Sequence, residues 1–258
     1  MVAKSVLATG LLEQIAETGC RLTHRSRSAQ GDMEEIIRTP PVENHLAGFQ
    51  LIGSVLNETG AGGDTGKLFG IGHRVVHGGE KFREPTIIHP EVIETIRRLI
   101  PLAPLHNPAN LLGLEVAMTV ARNVPQVAVF DTAFHQSIPP YAFRYALPQA
   151  LYTDHGVRRY GFHGTSHFYV AKQAAIYLNR SLAFLNLITL HLGNGASVTA
   201  IKNGKSVDNS MGLTPLEGLI MGTRSGDIDP AIIFYLGRQA DYSLPEIESM
   251  LNNQSGLK

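Results

Sequence analysis

The sequence contains no tryptophan, a single cysteine, Cys20, and no excess of either charge, its 22 Lys and Arg balancing 22 Asp and Glu. One cysteine cannot close an intrachain disulfide, and no Cys/His cluster has zinc-ligand spacing, so a reducing cytoplasm is the natural expectation. Charge neutrality removes the field of one sign that a nucleic-acid or membrane surface uses, and neither partner is expected. An anionic small ligand would have to be met by local charges. Long hydrophobic runs are missing as well: the most apolar stretch, 182–192, is too short for a membrane span and holds Asn186, Thr189 and His191. Residues 6–12 are apolar but run into Glu13 and Glu17 without a small-residue cleavage pattern, which argues against a secretory signal. What is present is a chain of 258 residues, 43% apolar, enough to bury a core in one large or two modest domains.

The pattern along the chain alternates strands and helices, which implies an α/β sheet. Residues 6–64 read as scaffold: an apolar segment, a polar stretch over 23–32, an amphipathic helix over 42–56 and a glycine-rich loop over 59–66. A strand is expected over 68–77, then a helix opened by Pro90 with Val92, Ile93, Ile96, Leu99 and Ile100 at helical spacing. Asn107 followed by Pro108 reads as an N-cap and first-turn proline. Residues 124–130 read as a buried strand ending on Asp131, and the change of composition at Ile138-Pro139-Pro140 marks a domain boundary. Beyond it, Thr165 or Ser166 would cap a helix through Leu178. Strands are expected at 185–191, 197–201 and 206–209, the last two joined by Asn203-Gly204, a hairpin signature. Asp229-Pro230 opens another helix, and Ser243 with Glu246 forms a capping box before the last.

Five short motifs offer a donor to an anion, each with a plainer alternative. In Gly72-His73-Arg74-Val75-Val76-His77-Gly78-Gly79, strand geometry puts Arg74 and Val76 on one face. A guanidinium beside a small apolar wall suits a short fatty acid, although an edge-strand arginine paired with a surface acid is the commoner arrangement and, on these residues alone, the favoured one. Asp131 stands where the carboxyl ends of strands open into a ligand crevice, or it caps Thr132-Ala133. His106, before Asn107-Pro108, reads as structural when taken alone. In Phe162-His163-Gly164-Thr165-Ser166-His167, His163 precedes a helix start, where free N–H groups favour anions and a cationic or donor imidazole could touch a phosphoryl oxygen. A polar loop histidine, or a metal pair with His167 that lacks a third ligand at helical spacing, is the alternative. The glycines of His191-Leu192-Gly193-Asn194-Gly195-Ala196-Ser197 would let backbone N–H groups approach a polyphosphate, or simply make a tight hairpin. Arg224, in Met221-Gly222-Thr223-Arg224-Ser225-Gly226-Asp227, sits in a glycine-flanked loop able to carry charge onto a transferring phosphoryl group, or is merely solvated. Together they suggest phosphoryl transfer to or from a carboxylate.

These motifs, with Pro104-Leu105-His106-Asn107-Pro108, Val129-Phe130-Asp131-Thr132-Ala133-Phe134-His135 and Arg159-Tyr160-Gly161-Phe162-His163-Gly164-Thr165-Ser166-His167, resemble the acetate kinase family in order and spacing, from about residue 70 onward. The resemblance implies a two-lobed α/β fold of the actin and hexokinase (ribonuclease H-like) kind. Its acyl-substrate lobe would occupy 1–137 and its nucleotide and phosphate lobe 138–258. It also implies a cytoplasmic homodimer that uses ATP and Mg2+ to turn acetate into acetyl phosphate and ADP. Carried onto this sequence, Arg74 would bind the acetate carboxylate, with Val76, Leu105, Phe162 and Pro215 around the methyl group and His106 in the same substrate set. Asp131 would be the essential carboxylate, His163 and Arg224 the transition-state stabilisers, and His191, Leu192, Gly193, Asn194 and Gly195 the phosphate-binding turn. A carboxylic acid with a pKa near that of glutamate is already ionised at neutral pH, so the nucleophile needs no base. Asp131 is therefore expected to orient Arg74 or a magnesium-bound water.

The resemblance also sets expectations about what is absent. The family's opening Asn-x-Gly-Ser-Ser-Ser-x-Lys strand is not found, Met1 to Lys4 leading into what resembles the segment after it. Nor is the adenosine-binding part with its late metal-holding glutamate, since Lys258 comes first. No residue here is expected as a metal ligand, and low stability and little kinase activity are expected of these residues alone. A propionate or butyrate kinase and a noncatalytic anion-binding fragment are the alternatives, since one methylene changes pocket affinity by only about 1–3 kcal/mol.

Overall fold

The computed structural model describes residues 6–28, 31–61 and 68–257. Two compact units emerge, Met1–His73 with Pro108–Val127, and Arg74–Asn107 with Ala128–Lys258; the boundary expected at 137/138 falls inside the second.

In the first unit β1 (Ala8–Glu13), β2 (Arg21–Arg27) and β3 (Met33–Arg38) form an antiparallel sheet in the order β1-β2-β3. The first half of the segment read as a polar stretch thus belongs to a central strand. Its alternate residues Leu22, His24 and Ser26 are buried while Arg21, Arg25 and Arg27 face out, a period of two carried by polar residues as well as apolar ones. Helix α1 (His45–Glu58) starts three residues later than its apolar pattern because Asn44 caps it, its Oδ1 accepting the Ala47 N–H at 2.9 Å. The expected loop over 59–66 lies mostly outside the described residues.

Strands β4 (Ile71–Val75), β5 (Thr86–Ile87) and β6 (Gln126–Phe130) make a second sheet in the order β4-β6-β5. Helix α2 (Pro90–Arg98) buries Val92, Thr95 and Ile96 and ends on Arg97 and Arg98, where cations suit the helix dipole. In α3 (Asn107–Val120) the expected capping residue does something else: Asn107 Oδ1 accepts the His77 N–H at 3.2 Å and its Nδ2 donates to His77 O at 3.1 Å. A buried amide has satisfied a strand-end peptide that would otherwise lack a partner.

Short helices α4 (Pro140–Phe143) and α5 (Gln149–His155) lead to α6 (Gly164–Tyr177) and an antiparallel sheet of β7 (Leu187–Leu192), β8 (Ala196–Lys202) and β9 (Lys205–Asn209). The expected hairpin is there: Asn203 and Gly204 take φ of 51° and 75°, the left-handed pair that a tight two-residue turn requires. Helices α7 (Ala231–Gln239) and α8 (Leu244–Asn253) follow, the latter opened by the expected capping box of Ser243 and Glu246. A core of Tyr160, Phe162, Ala196, Met211 and Met221, with Val76, Leu102, Leu213 and Leu219 against it, backs the segments that carry the site. Among the described residues no helix is long and apolar enough to cross a membrane.

Candidate functional site

The Asp131 N–H donates to Val75 O at 3.0 Å, carrying the β4–β6 ladder one residue beyond β6 and leaving the Asp131 side chain at the strand end. Its carboxylate is 1% exposed, a costly position for a charge without a partner. Arg74 supplies that partner, Nη2 donating to Oδ2 at 2.6 Å and Nε lying 3.1 and 3.2 Å from the two oxygens. This hydrogen bonding holds the Arg74 guanidinium above its ordinary pKa, against the opposing effect of burial. With 63% of its side chain exposed, Arg74 still has donors to offer.

Helix α6 begins two or three residues earlier than capping by Thr165 or Ser166 would place it. His163 is its N-cap, in the left-handed region at φ 57° and ψ 21°. The Gly164 N–H donates to Asp131 O at 2.9 Å, and a Cβ at Gly164 would stand 2.2 Å from that oxygen, so only glycine fits between strand end and helix start. Phe162, fully buried, is pinned from two sides: its N–H donates to Asn209 Oδ1 at 3.3 Å, and its carbonyl accepts from His135 Nε2 at 2.8 Å. Since a carbonyl only accepts, His135 carries its hydrogen on Nε2 and takes one from Ser206 Oγ, 2.8 Å from Nδ1.

The His163 imidazole stacks on His191 at 4.0 Å between ring centroids, and His191 Nδ1 lies 2.9 Å from Ser166 Oγ. Burial first, then the neighbouring His191, Arg74, His167 and Arg224, pushes the His163 pKa down to about 3. At neutral pH His163 is therefore a neutral imidazole, which leaves donation of one hydrogen and removes the cationic option. Arg224 reaches in from its loop, Nη1 donating to Pro215 O at 3.1 Å, and the loop is tied to the phosphate-turn sequence by the Gly222 N–H donating to Asn194 O at 2.9 Å.

A cavity of about 270 Å³ gathers Arg74, Val76, His106, Asp131, Phe162, His163, His191, Gly195, Pro215 and Arg224. Residues far apart in sequence thus line one space. Arg224 and His163 both approach Gly195: a Cβ there would be 3.3 Å from Arg224 Nη1 and 3.5 Å from His163 Nε2. Leu105 and Asn194 instead line an adjoining cavity of about 430 Å³, which shares His106, Pro215 and Arg224. Leu192, 73% exposed, and Gly193 line neither cavity, although the Gly193 N–H donates to Gly195 O at 3.0 Å and shapes the turn.

Three supporting residues had no motif to announce them, Thr189, Ser206 and Asn209, and a fourth, Ser197, closed the motif over 191–197 without a role of its own; all four are buried on the β7-β8-β9 sheet. The signal available was strand alternation, which puts Ser197 and Thr199 on one face of β8 with no apolar residue at either position. Magnesium fits poorly to what is present. It takes oxygen ligands, and the only carboxylate in the cavity, Asp131, already faces Arg74 with both oxygens. Among the described residues no group of three His, Cys, Asp or Glu side chains gathers as a metal site.

The sequence matches the Acetokinase family over residues 1–258. A protein named acetate kinase from Syntrophobacter fumaroxidans is 55% identical over 255 residues, covering 98% of this chain and 62% of that protein. The crystal structure of Porphyromonas gingivalis acetate kinase superposes with a TM-score of 0.89 at 43% identity, over 99% of this chain and 64% of that one. A propionate kinase from Francisella tularensis matches equally well in shape, with a TM-score of 0.89 at 45% identity, over 97% of this chain and 62% of that one. The chain thus spans a little over three fifths of the length of these relatives, 62% of the first.

Proposed function

Because this chain belongs to the acetokinase family, we propose that its cavity is the acyl pocket and part of the phosphate site of an acetate kinase, in which ATP phosphorylates acetate to give acetyl phosphate and ADP. One observation carries the reading: two guanidinium groups and a neutral imidazole face a single space of about 270 Å³ with a small apolar wall. Arg74 would take the acetate carboxylate in its fork, its orientation held by Asp131, while Val76, Phe162 and Pro215 meet the methyl group. A carboxylate oxygen forms the new bond to the γ-phosphorus, and the electron pair of the breaking bond leaves with ADP; no proton has to be removed. Arg224 and His163, close to one another beside Gly195, would meet the negative charge on the transferring group, a task of positioning and electrostatics. The backbone of the turn over 191–195 would approach the donor phosphates. The residues described do not make a magnesium site by themselves, and no step here is routed through the metal. The cytoplasmic location, the homodimer and the lobe boundary at 137/138 belong to the same reading and rest on family membership.

Calorimetric titration of acetate into this chain and into Arg74→Ala tests the reading. Binding by the former and loss in the latter is expected; equal heats from both would overturn it. Propionate is the second candidate substrate, favoured by the propionate kinase of matching shape. The two acids differ by one methylene, about 1–3 kcal/mol in such a pocket, so parallel titrations rank them.

A further inference from the structure

The His163 imidazole is one end of a line of hydrogen bonds that runs away from the cavity. His163 Nδ1 lies 2.9 Å from Ser197 Oγ, the same Oγ lies 2.8 Å from His167 Nε2, and His167 Nδ1 lies 2.8 Å from Thr189 Oγ1. His167 and Ser197 are fully buried and Thr189 is nearly so, and none of the three is among the residues lining the cavity.

Each hydroxyl has one hydrogen to give, and each neutral imidazole has one N–H and one lone pair. A hydroxyl oxygen also has two lone pairs, so three arrangements keep all three bonds. In the first, Thr189 donates to His167, His167 Nε2–H donates to Ser197, Ser197 donates to His163 Nδ1, and the hydrogen of His163 is on Nε2. In the second every bond is reversed, in the third Ser197 accepts from both rings, and in both of these His163 Nε2 is a bare lone pair. That nitrogen lies on the cavity side, beside Gly195 and Arg224. An anionic oxygen there can only accept, so it is compatible with the first arrangement and repelled by the other two.

We propose that Thr189, His167 and Ser197 are positioning residues that hold His163 as its Nε2–H tautomer, so that a neutral imidazole donates to an anionic oxygen in the cavity. The inference rests on the cavity being a phosphoryl-transfer site and adds what sets one of its donors. Burial keeps both rings uncharged over the working range, with His163 pushed to about 3 and His167 to about 4. A neutral donor supplies a hydrogen bond without adding a third positive charge beside Arg74 and Arg224.

Histidine 15N NMR of the chain, titrated with inorganic phosphate, reads the tautomers directly. With phosphate bound, His163 and His167 are expected to be protonated on Nε2 and bare on Nδ1. Thr189→Val, which removes the hydroxyl farthest from the cavity, is expected to let His163 populate both tautomers and to weaken phosphate binding roughly two- to tenfold, the range of one net hydrogen bond. Thr189→Ser should restore both. Phosphate bound to a His163 protonated on Nδ1 would overturn the relay and leave the site intact. So would a folded Thr189→Val with unchanged tautomer and affinity. No response of His163 to phosphate would overturn the relay together with the reading of the cavity. The tautomer measurement needs no variant, so it stands even if a substitution prevents folding.

Discussion

Two antiparallel sheets of three strands each occur among the described residues, and they differ in how much polarity they bury. In β1-β2-β3 most polar residues stay outside, His24 and Ser26 of β2 excepted, as where Arg25 and Glu35 sit opposite one another and Arg25 Nε meets Glu35 Oε2 at 2.5 Å in solvent. In β7-β8-β9 they go inside: Thr189, Ser197, Thr199, Ser206 and Asn209 are all buried. A hydroxyl or amide buried without a partner costs about 1–3 kcal/mol on mutational evidence, so such a sheet is sustainable only if every group is bonded. Each one is. Thr189 and Ser197 meet His167, Ser206 meets His135, and Asn209 donates to Thr199 while accepting from Phe162 and Met211. Polarity outside a sheet buys solubility; polarity inside one is there for the groups it holds in place.

The contrast can be broken in four ways. The largest effect should come from Arg224→Ala in a preparation that forms acetyl phosphate, with kcat falling about 10²–10³-fold and the acetate KM moving far less. A change confined to KM would remove Arg224 from the transferring group. Next is pH. His77 and His167 are pushed down to about 4, His135 and His163 to about 3, in every case chiefly by burial. Below the unfolded histidine pKa of about 6.5 the unfolded chain takes up protons that the folded chain refuses, so stability falls from there down to about pH 3–4. The urea midpoint should be lower at pH 5 than at pH 7, and an equal midpoint would mean that these rings are not held neutral.

Asn209→Ala should cost about 1–3 kcal/mol in urea unfolding and weaken acetate binding through Phe162. A loss of stability with acetate affinity intact would reduce Asn209 to scaffold. Last and smallest, Glu35→Ala on the other sheet should cost at most about 1 kcal/mol and leave acetate affinity unchanged, because an exposed ion pair is screened and mobile. A larger loss there would erase the distinction between the two sheets.

Much of this was legible in the sequence where local rules act alone. The Asn203-Gly204 hairpin, the Ser243-Glu246 capping box, the helix at Pro90 and the strand before Asp131 follow from turn chemistry, capping and periodicity. The strand over 21–27 was not, because its buried face includes His24 and Ser26 and shows no apolar alternation. Asn107 misled for a related reason: the residue that would cap a helix was needed by the His77 peptide, a partner thirty positions away. In the site, Arg74, Asp131, His163 and Arg224 were visible as motifs, whereas the hydroxyls behind His163 were not. Serine and threonine in a strand are commonplace, and only the fold shows which of them face a histidine.

Gly164 touches none of the cavity, yet the gap it occupies is too narrow for one more carbon. Asp131 and His163 are consequently parts of one rigid fitting, the strand end clamped to the helix start through the Gly164 N–H. Anyone reshaping the pocket for a longer acid can trim Val76 or Pro215 and leave that fitting alone. A methyl group at 164 would act as a wedge, driving the acid from the imidazole by contact alone, so a tolerance this machine depends on belongs to a residue with no chemistry of its own.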